Sequence, residues 1–290
     1  MKDSGKYRGV RRIVAVGLGV VFALAATGVF AVVPCKQDRI TGQHLTPLQL
    51  EIESQRLRLS SAEVEDRREA LTRLGSLHHP EASRVAVSAL SDPSPIIRAT
   101  AASSVLSLPA EESAASLLPL LIDKDEFVRQ QVAYALGQTH SRGAVAGLIE
   151  RLTDKKDSVR GSAAVALGQI ADPAAVTALA AVLNPQPGLT PAKKNKKAKR
   201  EQNAFVLRAA AHALGQIGDR AGVPALIGVL QDEKAEDDVR REAALALGAI
   251  GDSAAIPALR NAITARDPYL AQAAHEAIRR ISRLNKVRSI

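Results

Sequence analysis

From residue 63 toward the carboxyl end, apolar residues recur at three- and four-residue intervals. In the stretch that begins at Val159 they fall at Ala163, Ala164, Ala166, Leu167 and Ile170, which is one face of a helix. A similar run ends at Gly218-Asp219, a helix stop. Val223, Leu226, Ile227 and Leu230 then resume the period on one face. The predicted unit is a pair of short antiparallel helices joined by a tight turn. Such a pair cannot bury both of its apolar faces, so adjacent pairs must stack and share a core.

The unit repeats. Val128–Asp154, Val159–Asn184, Val206–Asp232 and Val239–Ile263 are clear copies. Asp66–Asp92 and Ile97–Asp123 are weaker ones, and Leu270–Ile281 is a final half-copy. One register position carries Arg67, Arg98, Arg129, Arg160 and Arg240, the first four spaced by 31 residues. A Leu-Gly pair recurs at Leu74-Gly75, Leu136-Gly137, Leu167-Gly168, Leu214-Gly215 and Leu247-Gly248. Self-similarity at this period is the signature of a helical repeat array.

The pattern D-x(5)-R…A-x-x-L-G…P-x-L-x-x-L-x-D, over about residues 63–282, resembles the HEAT-like repeats of phycobilisome lyases and of many other bacterial proteins. The fold class expected is therefore all-α: an α-solenoid of about seven HEAT-like helical hairpins, preceded by an N-terminal transmembrane helix. The resemblance further implies that Asp and Arg pair between neighbouring units. Asp92–Arg98, Asp123–Arg129 and Asp154–Arg160 keep one separation, and with Arg240 they make up the expected structural ladder. Acids recurring six residues upstream favour a ladder over a basic stripe for an anionic partner. The fifth copy departs, with Leu207 at the arginine position and Arg208 one place late. The seventh has Ala271 there. Stacking is expected to weaken before the fifth unit, and the last unit to serve as a cap.

Ahead of the repeats, Ile13–Val33 holds 21 residues without a charge. At about 1.5 Å per residue a helix of this length would match a bilayer core. Residues 1–12 form a basic tail before it. The expected arrangement is a retained signal anchor at 13–33, with the amino terminus in the cytoplasm and the repeat domain outside it, periplasmic in a Gram-negative bacterium. A cleaved signal peptide and a lipoprotein modified at Cys35 stay open as alternatives. Residues 34–62 read as a linker and capping helix that starts at Thr46-Pro47. Leu48, Leu50, Ile52, Leu57 and Leu59 supply its apolar positions, and Ser60 with Glu63 fits a capping box for the next helix. The solenoid itself spans 63–290.

Composition sharpens this picture. Hydrophobic residues make up 46% of the chain but aromatics 2%, so Ala and Leu must build the core. The net charge of +9 is concentrated in residues 1–39 and 185–205, which leaves the repeats near neutral. Residues 185–205 interrupt the array with Pro185, Pro187, Gly188 and Pro191. The basic run Lys193, Lys194, Lys196, Lys197, Lys199 and Arg200 follows, a loop that could meet an anionic partner.

A neutral body with few aromatics disfavours a nucleic-acid-binding solenoid. The six histidines have no metal-ligand spacing, the glycines follow the repeat period, and no nucleophile elbow is present. No catalytic, cofactor or metal residue is assigned. The function expected is a membrane-tethered interaction scaffold that binds an unidentified protein partner on the surface formed by the second helices. A bilin-lyase-type enzyme or enzyme subunit is the alternative that the resemblance implies.

Overall fold

The computed structural model describes residues 45–184 and 203–288. The chain divides into two units, Met1–His44 and Leu45–Ile290, and the described residues all fall in the second. They form α-helices and short 3₁₀ turns, with no strand among them.

A lead helix, α1 (Pro47–Arg58), precedes six helical hairpins and a last long helix. The first helices of the hairpins are α2 (Val64–Ser76), α4 (Pro95–Ser104), α6 (Glu126–Thr139), α8 (Asp157–Ile170), α10 (Ala204–Ile217) and α12 (Asp237–Ile250). The second helices are α3 (Pro80–Val87), α5 (Ala110–Leu117), α7 (Val145–Arg151), α9 (Val176–Leu183), α11 (Val223–Gln231) and α13 (Ile256–Ala262). The closing helix is α14 (Pro268–Arg288). Each first helix packs against the first helices of the hairpins before and after it, so α2, α4, α6, α8, α10, α12 and α14 lie in one row in chain order. The second helices pack beneath them.

Local signals set the helix ends. Thr46 accepts a hydrogen bond from the Gln49 amide while the Gln49 side chain accepts one from the Thr46 amide, a closed capping box ahead of Pro47. The box expected at Ser60 and Glu63 does not form. Glu63 itself is the N-cap of α2 and makes no side-chain cap bond. Ser61 takes the turn instead, accepting from the Glu63 amide and donating to Asp66. Before the second helices, Asp172, Asp219 and Asp252 each accept the amide two residues on, which turns the chain into a 3₁₀ entry.

The core is aliphatic throughout. Leu136, Leu167, Leu214 and Leu247 of the first helices are fully buried, as are Leu148, Leu179 and Leu226 of the second. Each contributes about 2–3 kcal/mol by burial. Alanines fill the space between first helices, and glycines let those helices approach. A Cβ added to Gly168 would lie 2.8 Å from the Cα of Ala213, and one on Gly215 would lie 2.9 Å from that of Ala246. The second hairpin has Leu106 where the others have glycine, and its first helix stops early, at Ser104.

Two expectations are corrected here. Stacking does not weaken before the fifth unit: α10 lies against α8, with Gly168 on Ala213, although residues 185–202 intervene in sequence. The single-pass membrane location, with the repeats outside the cytoplasm, is not supported. Among the described residues no helix is long and apolar enough to cross a membrane. The longest, α14, carries Arg279, Arg280, Arg283 and Lys286. The span expected at 13–33 lies outside the described residues.

Candidate functional site

Two sets of side chains recur with the repeats: the arginine–aspartate constellation inside each of the first three hairpins, and the outward face of the first-helix row.

Arg98 enters from α4 and meets Asp123, at the end of its own hairpin, through two bonds: Nε to Oδ2 at 2.7 Å and Nη2 to Oδ1 at 2.9 Å. Its Nη1 donates to the main-chain carbonyls of Asp92 (2.8 Å) and Pro93 (3.1 Å), in the link from the preceding hairpin. Arg67 repeats this arrangement with Asp92 and the carbonyls of Ser61 and Ala62. Arg129 does so with Asp154 and the carbonyls of Asp123 and Lys124. Each aspartate also accepts the amide two residues on, at Ser94, Asp125 and Lys156. A planar guanidinium fits this task because it offers a bidentate fork and a third donor at once.

Electrostatics follow the geometry. Burial raises the Asp123 carboxyl, but the Arg98 hydrogen bonds, the Asp125 amide and the arginine charge outweigh it and hold the carboxyl below the usual aspartate range. Asp154 is lowered in the same way, with burial opposed chiefly by Arg129 and the Lys156 amide. Hydrogen bonding to Asp123 raises Arg98 in turn.

The expected pairing is therefore corrected in one respect. Residues six apart, such as Asp92 and Arg98, are joined through the aspartate's carbonyl. The carboxylate belongs to the arginine 25 residues upstream, within the same hairpin. Arg160 keeps its bond to the Asp154 carbonyl at 2.9 Å, but 25 residues on stands Pro185, and its guanidinium turns to Asp157. Arg240 bonds the Leu230 carbonyl and Asp237, not a hairpin-end aspartate. Across the Arg160 gap, Asn203 donates to Asp157, and the Phe205 ring occupies the place that a side chain on Gly161 would take.

The outward face of the first helices shows what composition could not. Phe127, Tyr134, Phe205 and Tyr269 are the aromatic residues among those described, and all lie exposed on this row, between 42% and 66% accessible. None enters the core. The flanks of the row are charged and internally paired: Glu65 with Arg68, Arg208 with Asp238, Arg241 with Asp267, and His212 with Glu242. Arg241 also sits 5.6 Å from the centre of the Tyr269 ring.

The remaining candidates are placed as follows. Lys193, Lys194, Lys196, Lys197, Lys199 and Arg200 lie outside the described residues. Among the described residues no group of three or more His, Cys, Asp or Glu could hold a metal ion. His79 caps α3 by accepting the Glu81 amide, and His140 Nδ1 lies 2.8 Å from the Gln169 carbonyl. A groove of about 690 Å³ opens between α1 and α3, with Ile52, Leu59 and Val85 on its walls beside Arg56, Arg84 and Glu81.

Comparison with known proteins agrees with this architecture. No curated protein matches the chain by sequence at a significant level. Among solved structures, Escherichia coli YibA is similar at 20% identity, covering 81% of this chain and 82% of that one, with a TM-score of 0.54. The CpcE–CpcF complex of phycocyanin lyase from Nostoc matches at 22% identity over 84% and 90%, TM-score 0.47. Human deoxyhypusine hydroxylase matches at 20% identity over 81% and 96%, TM-score 0.38. At these identities the likeness is one of fold. The family model of HEAT repeats matches three stretches, 54–137, 123–189 and 196–279, which together take in the stacked hairpins and their arginine–aspartate clasps. The chain therefore belongs to the HEAT repeat family.

Proposed function

We propose that this chain is a protein-binding repeat module whose contact surface is the outward face of the first-helix row, centred on α6 and α8. HEAT repeats generally mediate protein–protein interaction. The observation that carries the reading is the placement of the aromatics: a chain with no Trp and 2% aromatics exposes Phe127, Tyr134, Phe205 and Tyr269 instead of burying them. Aromatic side chains have large apolar area and few rotors, and they are enriched where proteins meet. Phe205 covers Gly161 and Tyr269 lies beside Arg241, whereas Phe127 and Tyr134 on α6 leave 42% and 47% of their surface facing water above a core built from Ala and Leu.

This reading shifts the contact surface from the second helices, where the sequence suggested it, to the first. A photo-reactive residue at Gln130 on α6, compared in cells with one at Pro257 on α13, tests it. Gln130 is expected to yield discrete protein adducts that Tyr134→Glu abolishes. Adducts confined to Pro257, or adducts to nucleic acid in place of protein, would overturn it.

A further inference from the structure

The arginines fall into two groups along the chain. All fifteen described arginines from Arg56 to Arg241 have a carboxylate oxygen within 3.7 Å. Beyond them, Arg260, Arg266, Arg279, Arg280 and Arg283 are exposed, and none has a carboxylate partner among the described residues. Glu276 stands three and four residues before Arg279 and Arg280, a separation at which helical side chains meet, yet it pairs with neither. Capping the array does not account for this. Both ends of a solenoid must face water. At the α1 end the charges are matched: Arg56 meets Glu53, Arg58 meets Glu69 and Arg73 meets Glu51. The dipole of α14 does not account for it either. Cations are favoured in the last turn of a helix, and Arg279 and Arg280 lie more than two turns before the end of α14 at Arg288.

We propose that the face of α14 bearing Arg279, Arg280 and Arg283 is a second docking surface, separate from the aromatics of α6, and that it takes an acidic segment of a partner protein in extended form. At 3.6 residues per turn the three arginines span about 100° of one helix face, with Arg279 and Arg283 about 6 Å apart along the axis. Alternate side chains of an extended chain are about 6.6 Å apart, so two carboxylates on alternate residues reach both guanidinium groups. The neighbouring helix adds a cation. Arg260 on α13 takes the place that Ile149 and Ile227 hold in earlier hairpins, where both pack on the core. α13 lies against α14, and among the described residues no second helix follows it, so Arg260 stays exposed. Wherever the chain supplies a carboxylate to such a fork, the fork takes it through two bonds, as Arg98 does with Asp123. Nucleic acid fits this face less well. A single strand needs aromatic platforms, and Tyr269, the one aromatic of α14, lies at the other end of the helix beside Arg241. A duplex is held by cations on roughly six to ten phosphates, more than this face offers.

Fluorescence anisotropy of the full chain with a labelled peptide of alternating Glu and Ser tests this. The test variant combines Arg279→Gln, Arg280→Gln and Arg283→Gln. One control combines Arg56→Gln, Arg68→Gln and Arg73→Gln, which removes the same charge from arginines that have carboxylate partners. The other combines Lys193→Gln, Lys194→Gln and Lys196→Gln in the basic run. The expected result is a dissociation constant that rises about tenfold or more in the test variant and stays within about threefold in both controls, with unchanged helical circular dichroism in all. A peptide that does not bind overturns the inference. So does an equal loss in either control, or a single-stranded or duplex DNA bound more tightly than the peptide. None of these outcomes touches the reading of the aromatic face, whose test is the adduct pattern at Gln130.

Discussion

Gly137 on α6 lies so close to α8 that a Cβ built on it would fall 2.7 Å from the Cα of Ala166 and 2.9 Å from its Cβ. The backbone cannot yield locally, because Ala166 sits in a fully buried row. Gly137→Ala is therefore expected to lose about 1–3 kcal/mol to overpacking, more than the gain of about 1 kcal/mol in helix propensity. At Gly75 the same Cβ would meet Ser104, with Oγ at 3.3 Å and Cα at 3.4 Å. Gly75→Ala should be close to neutral. Urea unfolding of the two variants checks the contrast, and equal losses would contradict it.

The arginine clasps predict a second contrast. Arg129→Ala leaves the Asp154 carboxylate buried without its fork and frees the Asp123 carbonyl. Breaking a buried pair from one side costs about 3–5 kcal/mol. Arg160→Ala removes one carbonyl bond and a pair with Asp157, which is 44% exposed. About 1 kcal/mol is expected there. Arg129→Lys should behave more like the alanine variant than like wild type, because an ammonium cannot span carboxylate and carbonyl together. Denaturant midpoints order the three.

Acid sensitivity follows from the same clasps. The carboxyls of Asp123 and Asp154 are lower in the folded chain than in the unfolded one, since Arg98 and Arg129 outweigh burial. Depressed carboxyls add stability above the unfolded value of about 4, and that stability is lost as the pH falls below it. Stability measured against pH should drop below about pH 4. Asp123→Asn should be less stable at neutral pH and show a shallower drop in acid. A parallel, undiminished slope would show that other carboxyls carry the effect.

Much of this architecture is legible in the linear chain because each hairpin answers to the same local signals. The apolar period, the Leu-Gly pair and the Asp turns locate the helices without reference to tertiary structure. The clasp was harder to read. Asp92 and Arg98 keep the separation that the family resemblance associates with a pair between neighbouring units. The fold instead brings Arg98 to Asp123 across the length of a hairpin. The signal was present as a constant spacing of 25 residues in Arg67–Asp92, Arg98–Asp123 and Arg129–Asp154, and as its failure at Pro185. The aromatic face was not legible from composition. A low aromatic count says nothing about which surface the few rings occupy, and on α1 the apolar period misleads: Ile52 is buried, but Leu50 and Leu57 are 57% and 76% exposed.

The helix ends of the first row give the last prediction. α6, α8, α10 and α12 all stop on a left-handed residue, and those residues are His140, Ala171, Gly218 and Gly251, with φ of 53°, 56°, 74° and 76°. An L side chain in that conformation costs about 1–2 kcal/mol, which glycine avoids at a smaller entropic cost in the unfolded chain. Ala171→Gly should thus stabilise the array by about 0.5–1 kcal/mol. His140→Gly should gain less, since the imidazole contact with the Gln169 carbonyl goes with it. Gly251→Ala should destabilise, both through its φ and because the new Cβ would meet the Leu284 side chain at 2.6 Å. For a unit of this size 1 kcal/mol corresponds to about 2–4 °C in melting temperature. A rise for Ala171→Gly beside a fall for Gly251→Ala is the expected pair. A fall in both would mean that the left-handed residue at position 171 is held by something other than backbone preference.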